Sequence, residues 1–159
     1  MAQSTPDLCD EFPDIVRVMA PGFINYGGHE AFSGLATTVK CFEDNSLVKH
    51  LAGQPGEGRV MVVDGGGSLR QALLGDLIAG EAARNGWAGF VISGAVRDVE
   101  VLRTLPIGIR ALGAVPVKTE KRGLGDMDVP VEVGGLVVEP GQTVIVDATG
   151  IAVMPAEWA

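Results

Sequence analysis

The sequence predicts a single α/β domain on a mixed, layered sheet, and three observations lead there. Short Val-, Ile- and Leu-rich runs recur along the 159 residues, separated by paired and clustered glycines, the pattern of many short strands joined by tight turns. Helical periodicity is confined to the first two thirds. Strands dominate the last third, so the order is not the steady strand–helix alternation of a doubly wound sheet. At this length one domain spanning residues 1–159 is the default, and folding buries roughly 68–70% of the unfolded surface.

Each element has its own local reason. Thr5-Pro6-Asp7 reads as an N-cap, a proline at the first helical position and an early acid, starting a short helix to about Phe12. The stretch from Phe23 to Val39 carries glycines at 27, 28 and 34, with "LATTVK" as a strand near its end. Asp44 or Asn45 then caps a helix whose apolar positions are Leu47, Val48 and Leu51. Arg59 to Val63 is a continuous apolar run, as in a strand covered on both faces, and "DGGGS" follows it. Leu69 to Leu74 reads as extended, and Gly75 breaks the chain before "DLIAGEAARNG". There Leu77, Ile78, Ala82 and Ala83 make an apolar helix face, Asp76 sits in the first turn, and Asn85-Gly86 closes the end. Gly89 to Ile92 is the next buried strand; Asp98 starts a short helix to about Thr104, which Pro106 stops. Beyond it, "IGIRALGAVPV" and "VPVEVGGLVVEPGQTVIVDATGIAV" read as short strands joined by Gly-Gly, Pro-Gly and Thr-Gly turns.

Composition narrows the function. A net charge of −8 argues against direct nucleic-acid binding, because 12 scattered Lys and Arg cannot neutralise a run of phosphates; a basic protein partner remains compatible. The longest apolar runs fall short of a membrane span, and "MAQSTPDLCDEF" has neither the basic start nor the apolar stretch of a signal peptide, so the expected location is the cytoplasm. Cys9 and Cys41 lack metal-type spacing and are expected as two reduced, packed thiols. His29 and His50 are likewise isolated, which disfavours a His-based metal site.

Three motifs remain. "VVVDGGGS" invites a nucleotide or methyl-donor reading, yet its glycines are consecutive and no phosphate-cradling pattern is present, so a tight turn is the better reading. Gly75 opens a helix whose free N–H groups at residues 75–78 suit a small carboxylate or phosphate. "GAVRDVE" places Arg97-Asp98 beyond a strand, where α/β sheets place ligands. Asp76 lies upstream with twenty intervening residues, an interval of one helix, one turn and one strand, which returns the chain to the end where it began. The two carboxylates, one guanidinium and a ring of amides can therefore share a crevice. That set suits a divalent cation such as Mg²⁺ or Mn²⁺ with a 2-oxo acid, whose enolate the metal and Arg97 together stabilise when an adjacent C–C bond breaks.

Over nearly its whole length the chain resembles the RraA-like family, which includes the regulator of ribonuclease E activity A and the class II 4-hydroxy-4-methyl-2-oxoglutarate aldolases. The segments that carry the resemblance include "FINYGGHEAFSGLATTVKCFEDNSLVK", "VMVVDGGGSLRQALLGD", "GWAGFVISGAVRDVEVL", "LPIGIRALGAVPVK", "VEVGGLVVEPG" and "DATGIAV". The resemblance implies a layered β/β/α, swivelling-domain-like fold assembled as a homotrimer with sites between subunits. The aldolase pattern, D-x20-R-D, falls on Asp76, Arg97 and Asp98. It implies that Asp98 holds a divalent metal, that Asp76 supports the metal's water shell, and that Arg97 binds substrate and steadies a pyruvate enolate. The backbone of Gly75, Asp76, Leu77 and Ile78 is implied to grip the substrate carboxylate. The implied activities are aldol cleavage and oxaloacetate decarboxylation. The larger aldolases bring a further acidic residue from a neighbour's C-terminal extension, whereas this chain stops at Ala159, which makes decarboxylation the better supported of the two. The short length is nearer the regulator branch, whose expected action is to inhibit a ribonuclease by binding it, with the nuclease's basic region as partner.

Overall fold

The computed structural model describes residues 3–158; Met1, Ala2 and Ala159 lie outside them. The helices are α1 (Thr5–Glu11), α2 (Ser46–Ala52), α3 (Asp76–Arg84) and α4 (Val99–Leu102), with a closing 3₁₀ turn at Ala156–Trp158. The strands are β1 (Arg17–Val18), β2 (Ile24–Asn25), β3 (Phe32–Lys40), β4 (Val60–Asp64), β5 (Ala72–Leu74), β6 (Gly89–Val96) and β7 (Gly108–Ala114). They continue with β8 (Asp126–Met127), β9 (Val131–Val133), β10 (Leu136–Val138), β11 (Thr143–Val146) and β12 (Ile151–Met154). The main sheet runs β1-β12-β11-β3-β4-β6-β7-β2, with β5 added to β6 and β8 to β3, while β9 and β10 form a separate hairpin. The strands β3, β4, β6 and β7 run parallel to one another, and β11, β12, β1 and β2 join antiparallel, which makes the sheet mixed as expected.

The layering follows from the two-residue period of the central strands. Met61, Val63, Phe90 and Ile92 face one way, into a core shared with Val48 of α2, Ala79 and Ala82 of α3, and Leu102 of α4. Val60, Val62 and Val91 face the other way, onto Val144, Val146 and Val153 of the second β layer and onto the β9–β10 hairpin. Both faces of β4 are covered, which is why its sequence is uninterruptedly apolar. Each fully buried aliphatic side chain in these strands stabilises the fold by roughly 1.5–3 kcal/mol. Both cysteines are free, as expected; burial above all, then the charges of Asp44 and Asp64, push the Cys41 thiol up to about 12, leaving it unreactive.

Several local expectations need correction. The N-cap of α1 is Ser4, whose hydroxyl accepts the Asp7 N–H at 3.2 Å. Thr5 instead gives its N–H and its hydroxyl to the Asp147 carboxylate, each at 2.7 Å, tying the helix to the β11–β12 turn. Asn45 occupies the N-cap of α2, but its side chain makes no capping bond, because it is turned into the interior. Of the extended stretch 69–74 only Ala72–Leu74 is strand. The largest difference is β6, which runs past Ile92 to Val96. Ala95 and Val96 are fully buried, since β5 and β7 flank this end and shield its small residues.

Candidate functional site

The site is assembled by β5, α3 and β6. β5 and β6 run parallel with Leu74 opposite Val96, and the Arg97 N–H donates to the Leu74 carbonyl at 2.9 Å. Gly75 and Arg97 are therefore the first residues beyond two adjacent strands, at one edge of the sheet. Gly75 is the N-cap of α3, so the opening of that helix stands beside the end of β6. Asp98 adopts the left-handed conformation (φ 58°, ψ 39°), which Asp tolerates better than most residues. Its carboxylate does not cap its own helix, α4, as a helix-starting acid would. It reaches α3 instead, where Oδ2 accepts the Asp76 N–H at 3.1 Å. Arg97 Nε stands 3.8 Å from the same oxygen. With side chains 39% and 36% exposed, this ion pair contributes little to folding.

A cavity of about 150 Å³ opens here, lined by Gly75, Asp76, Leu77, Ile78, Arg97 and Asp98 among others. The sequence-predicted residues thus line one hollow. One detail differs from the expected ring of amides: that of Asp76 is already taken by Asp98, so Gly75, Leu77 and Ile78 are the positions left to receive an anion. A second hollow of about 400 Å³, lined by Val99, Val101, Ala114 and Pro116, shares Arg97 and Asp98 with the first, so this pair forms a partition between them.

Gly75 is required by space rather than by conformation, for its backbone is extended. A Cβ there would lie 2.7 Å from Asp98 Oδ2 and 3.4 Å from Arg97 Nε. Gly75→Ala is expected to dislodge the Asp98 carboxylate, lowering turnover about 10-fold while the melting temperature moves by only about 2–4 °C, the shift of a 1 kcal/mol change. Parallel activity and thermal-unfolding measurements check this.

Among the described residues no three His, Cys, Asp or Glu side chains cluster as a closed metal cage. Asp98 and Asp76 offer two carboxylates on a solvent-open wall, which fits a hard divalent cation that keeps several of its waters, as Mg²⁺ does.

The opposite wall carries residues that no sequence motif marked. Asn45 and Lys49 of the α2 region, with Lys118 and Lys121, complete the cavity. A strap, residues 117–124, is pinned across it. Ala72 N–H donates to the Val117 carbonyl at 2.7 Å, and the Thr119 hydroxyl donates to Asn45 Oδ1 at 2.7 Å. Asn45 Nδ2 donates to the Leu73 carbonyl at 3.1 Å. The Arg122 and Leu124 N–H groups donate to Asp44 Oδ2 at 2.8 and 3.2 Å. Oδ1 of Asp44 accepts the Ser46 N–H and hydroxyl at 2.9 and 2.6 Å. Burial, the largest influence on Asp44, works to raise its carboxyl, but these four bonds outweigh it and hold it down at about 2. A signal for this wall does exist in the sequence: "PVKTEKR" follows the carboxyl end of a parallel strand, β7, as Arg97 follows β6.

The "DGGG" turn is a turn. The N–H groups of Gly65 and Gly67 both donate to the Ser93 carbonyl, and that of Gly66 donates to Asp64 Oδ1. Gly66 and Gly67 hold φ of 67° and 72°. The turn's three glycine amides already have acceptors, so it offers no phosphate cradle.

An arginine, two carboxylates and a helix opening thus meet at the carboxyl ends of parallel strands of a mixed sheet, the position where α/β sheets place ligands. The chain belongs to the RraA-like family, whose model, described as Aldolase/RraA, matches residues 5–153. It is 56% identical over 151 residues to a protein of Ectopseudomonas mendocina (strain ymp), covering 95% of this chain and 93% of that one, which carries the provisional name 4-hydroxy-4-methyl-2-oxoglutarate aldolase. The same provisional name is borne by a Stutzerimonas stutzeri (strain A1501) protein, 56% identical over 155 residues, or 98% of this chain and 96% of that one. The solved structure of the RNA-processing inhibitor RraA from Thermus thermophilis superposes with a TM-score of 0.93 at 45% identity, covering 98% of this chain and 94% of that one. A Geobacillus kaustophilus HTA426 structure, described as an S-adenosylmethionine:2-dimethylmenaquinone methyltransferase, gives 0.94 at 46% identity, covering 96% and 95%. No helix among the described residues is long and apolar enough to cross a membrane.

Proposed function

We propose that this chain is a divalent-metal-dependent lyase that cleaves C–C bonds of 2-oxo acids through a pyruvate enolate, as 4-hydroxy-4-methyl-2-oxoglutarate aldolase and oxaloacetate decarboxylase. The observation that carries this reading is the meeting of Gly75, Asp76, Arg97 and Asp98 around one cavity. The names of the relatives above 50% identity support it.

In this reading the Leu77 and Ile78 amides, at the positive end of α3, hold the substrate carboxylate. Arg97 lies beside the 2-oxo oxygen. When the C3–C4 bond breaks, its electron pair moves toward C2, and the guanidinium steadies the charge that develops on that oxygen. The C4 fragment leaves as CO₂ from oxaloacetate, or as a second pyruvate once the C4 hydroxyl has lost its proton. A proton then adds at C3 to give pyruvate. Asp98 would hold the divalent cation and Asp76 its water shell, supplying Lewis-acid charge to the site. Asp98 also orders the helix opening through the Asp76 N–H.

With Mg²⁺ or Mn²⁺ the protein should release pyruvate from oxaloacetate faster than metal alone, and a chelator should remove the excess. Asp98→Asn is expected to raise the metal concentration for half-maximal activity by about 10–100-fold, the usual scale for disturbing a metal's ligand shell. Full activity with an unchanged metal requirement would sink the assignment.

The proposed assembly is a homotrimer of this one RraA-like domain, in the cytoplasm. Leu77, 81% exposed on the cavity rim, is a natural contact for a neighbouring subunit. A second reading, inhibition of a ribonuclease by binding its basic regulatory region, is favoured by the likeness to the Thermus inhibitor and by the charge of −8. A pull-down with that region tests it, and no binding at moderate salt counts against it.

A further inference from the structure

The end of β5 decides where the α3 opening stands, because Leu73, Leu74 and Gly75 are consecutive. Two hydrogen bonds from outside the strand reach its last carbonyls. The Arg97 N–H donates to the Leu74 carbonyl at 2.9 Å, and Asn45 Nδ2 donates to the Leu73 carbonyl at 3.1 Å. A carbonyl only accepts, so the amide nitrogen must be the Asn45 atom that faces Leu73. Asn45 is 6% exposed, which shields this bond from competing water. Its other atom, Oδ1, accepts the Thr119 hydroxyl at 2.7 Å. At the N-cap of α2 an asparagine ordinarily serves its own helix, a bond worth about 1 kcal/mol. Here the side chain forgoes that bond and is committed to β5 and the strap, at the wall of the cavity.

We infer that Asn45 is a positioning residue for the proposed reaction. Through the Leu73 carbonyl it sets where Gly75 and the first amides of α3 stand, and with them the seat of the substrate carboxylate. The inference rests on the lyase reading above and adds a residue that this reading does not use. Arg97 is seated by its own N–H, and Asp98 by its left-handed backbone. Loss of the Asn45 bond therefore moves the helix opening more than the groups that meet the breaking bond. The substrate carboxylate keeps its charge throughout the cleavage, so a poorer seat weakens ground state and transition state alike. KM rises and kcat stays.

The test compares Asn45→Leu, Asn45→Ser and Thr119→Val. Leucine matches asparagine in size without its amide, and serine is too short to reach Leu73, so either removes the bond. Serine keeps a polar group in place should the leucine variant not fold. Thr119→Val releases the strap from Oδ1 and leaves Nδ2 on Leu73. With Mg²⁺ saturating, both Asn45 variants are expected to raise the KM for oxaloacetate about 5-fold, the weight of one ordinary hydrogen bond, with kcat within about 2-fold. Amide exchange followed by NMR in the unliganded proteins reads the position directly. The Ala79 N–H, which donates to the Gly75 carbonyl at 3.0 Å, is expected to exchange about 5-fold faster in the Asn45 variants. Thr119→Val is expected to leave KM and that exchange within about 2-fold of wild type. Unchanged KM in the Asn45 variants, or an equal change in Thr119→Val, overturns the role while leaving the lyase reading intact. A raised KM without faster Ala79 exchange makes Asn45 a direct contact and overturns the role as well. A wild-type protein that releases no pyruvate above the rate with metal alone overturns the lyase reading and the role with it.

Discussion

Replacing Arg97 with alanine is expected to lower kcat/KM for pyruvate release from oxaloacetate by about 10³-fold, chiefly in kcat, with the fold unharmed. Two facts separate the chemistry from the stability. The guanidinium is 39% exposed and pairs with Asp98 at 3.8 Å, a surface pair whose loss costs well under about 1 kcal/mol. What places Arg97 is its backbone N–H on the Leu74 carbonyl, which alanine keeps. The loss should therefore fall on the transition state, where removing one preorganised donor to a developing oxyanion costs about 10²–10³-fold. Arg97→Lys should recover only part, because an ammonium supplies charge without the planar fork. Steady-state kinetics beside thermal unfolding decide the matter. An alanine variant with near-normal kcat would remove Arg97 from the chemistry.

Asp44→Ala is expected to destabilise the fold more than any substitution at Gly75, Arg97 or Asp98. The loss should be roughly 2–4 kcal/mol, a melting-temperature drop of about 5–15 °C at this chain length. Asp44 is fully buried and accepts four hydrogen bonds from Ser46, Arg122 and Leu124, so alanine leaves that many donors without an acceptor. Asp44→Asn should cost nearly as much, because one end of the amide must point an N–H at donors. The pH dependence has a definite sign. The carboxyl lies near 2 in the fold against an ordinary 3.8, so its contribution is fully present above about pH 4 and disappears as pH falls toward 2. The wild-type and Asp44→Ala stability curves should converge across that window in denaturant titrations. Curves that stay parallel to pH 2 would show that Asp44 is protonated in the fold or unimportant to it.

The interval of chain between Asp76 and Arg97 was legible because its logic is local: a helix and the strand after it must return to the same sheet edge. For the same reason the buried runs at 60–63 and 89–92 and the Asn85-Gly86 stop were readable. What escaped had long-range causes. Ser93-Gly94-Ala95-Val96 lies beyond the strand expected at Gly89–Ile92, yet three neighbouring strands make it the end of β6. Asp98 looks like a capping acid, but its left-handed backbone delivers the carboxylate to another helix. Asp44 and Asn45 look like alternative caps of α2. One oxygen of Asp44 does take the N–H of Ser46 at the start of α2, but its other oxygen and the Asn45 side chain hold a strap more than seventy residues away. An exposed lysine carries little local mark of the cavity it lines, and it is the strap's bonds to Asp44 and Asn45 that bring Lys118 and Lys121 to the cavity that Lys49 of α2 also lines.

The strap gives the site a division of labour. The groups proposed for bond cleavage come from one contiguous piece of chain, β5 through Asp98, which is bound into the sheet and the helical core. The wall that carries Lys118 and Lys121 is a separate loop, fastened by a few side-chain bonds to Asp44 and Asn45 and by Val117 to β5. Such a loop can open locally without global unfolding, and its surface residues can be exchanged without disturbing the core. Sequence drift in 118–124 can therefore reshape one wall of the cavity while β5, α3 and β6, which position Gly75, Asp76, Arg97 and Asp98, stay as they are.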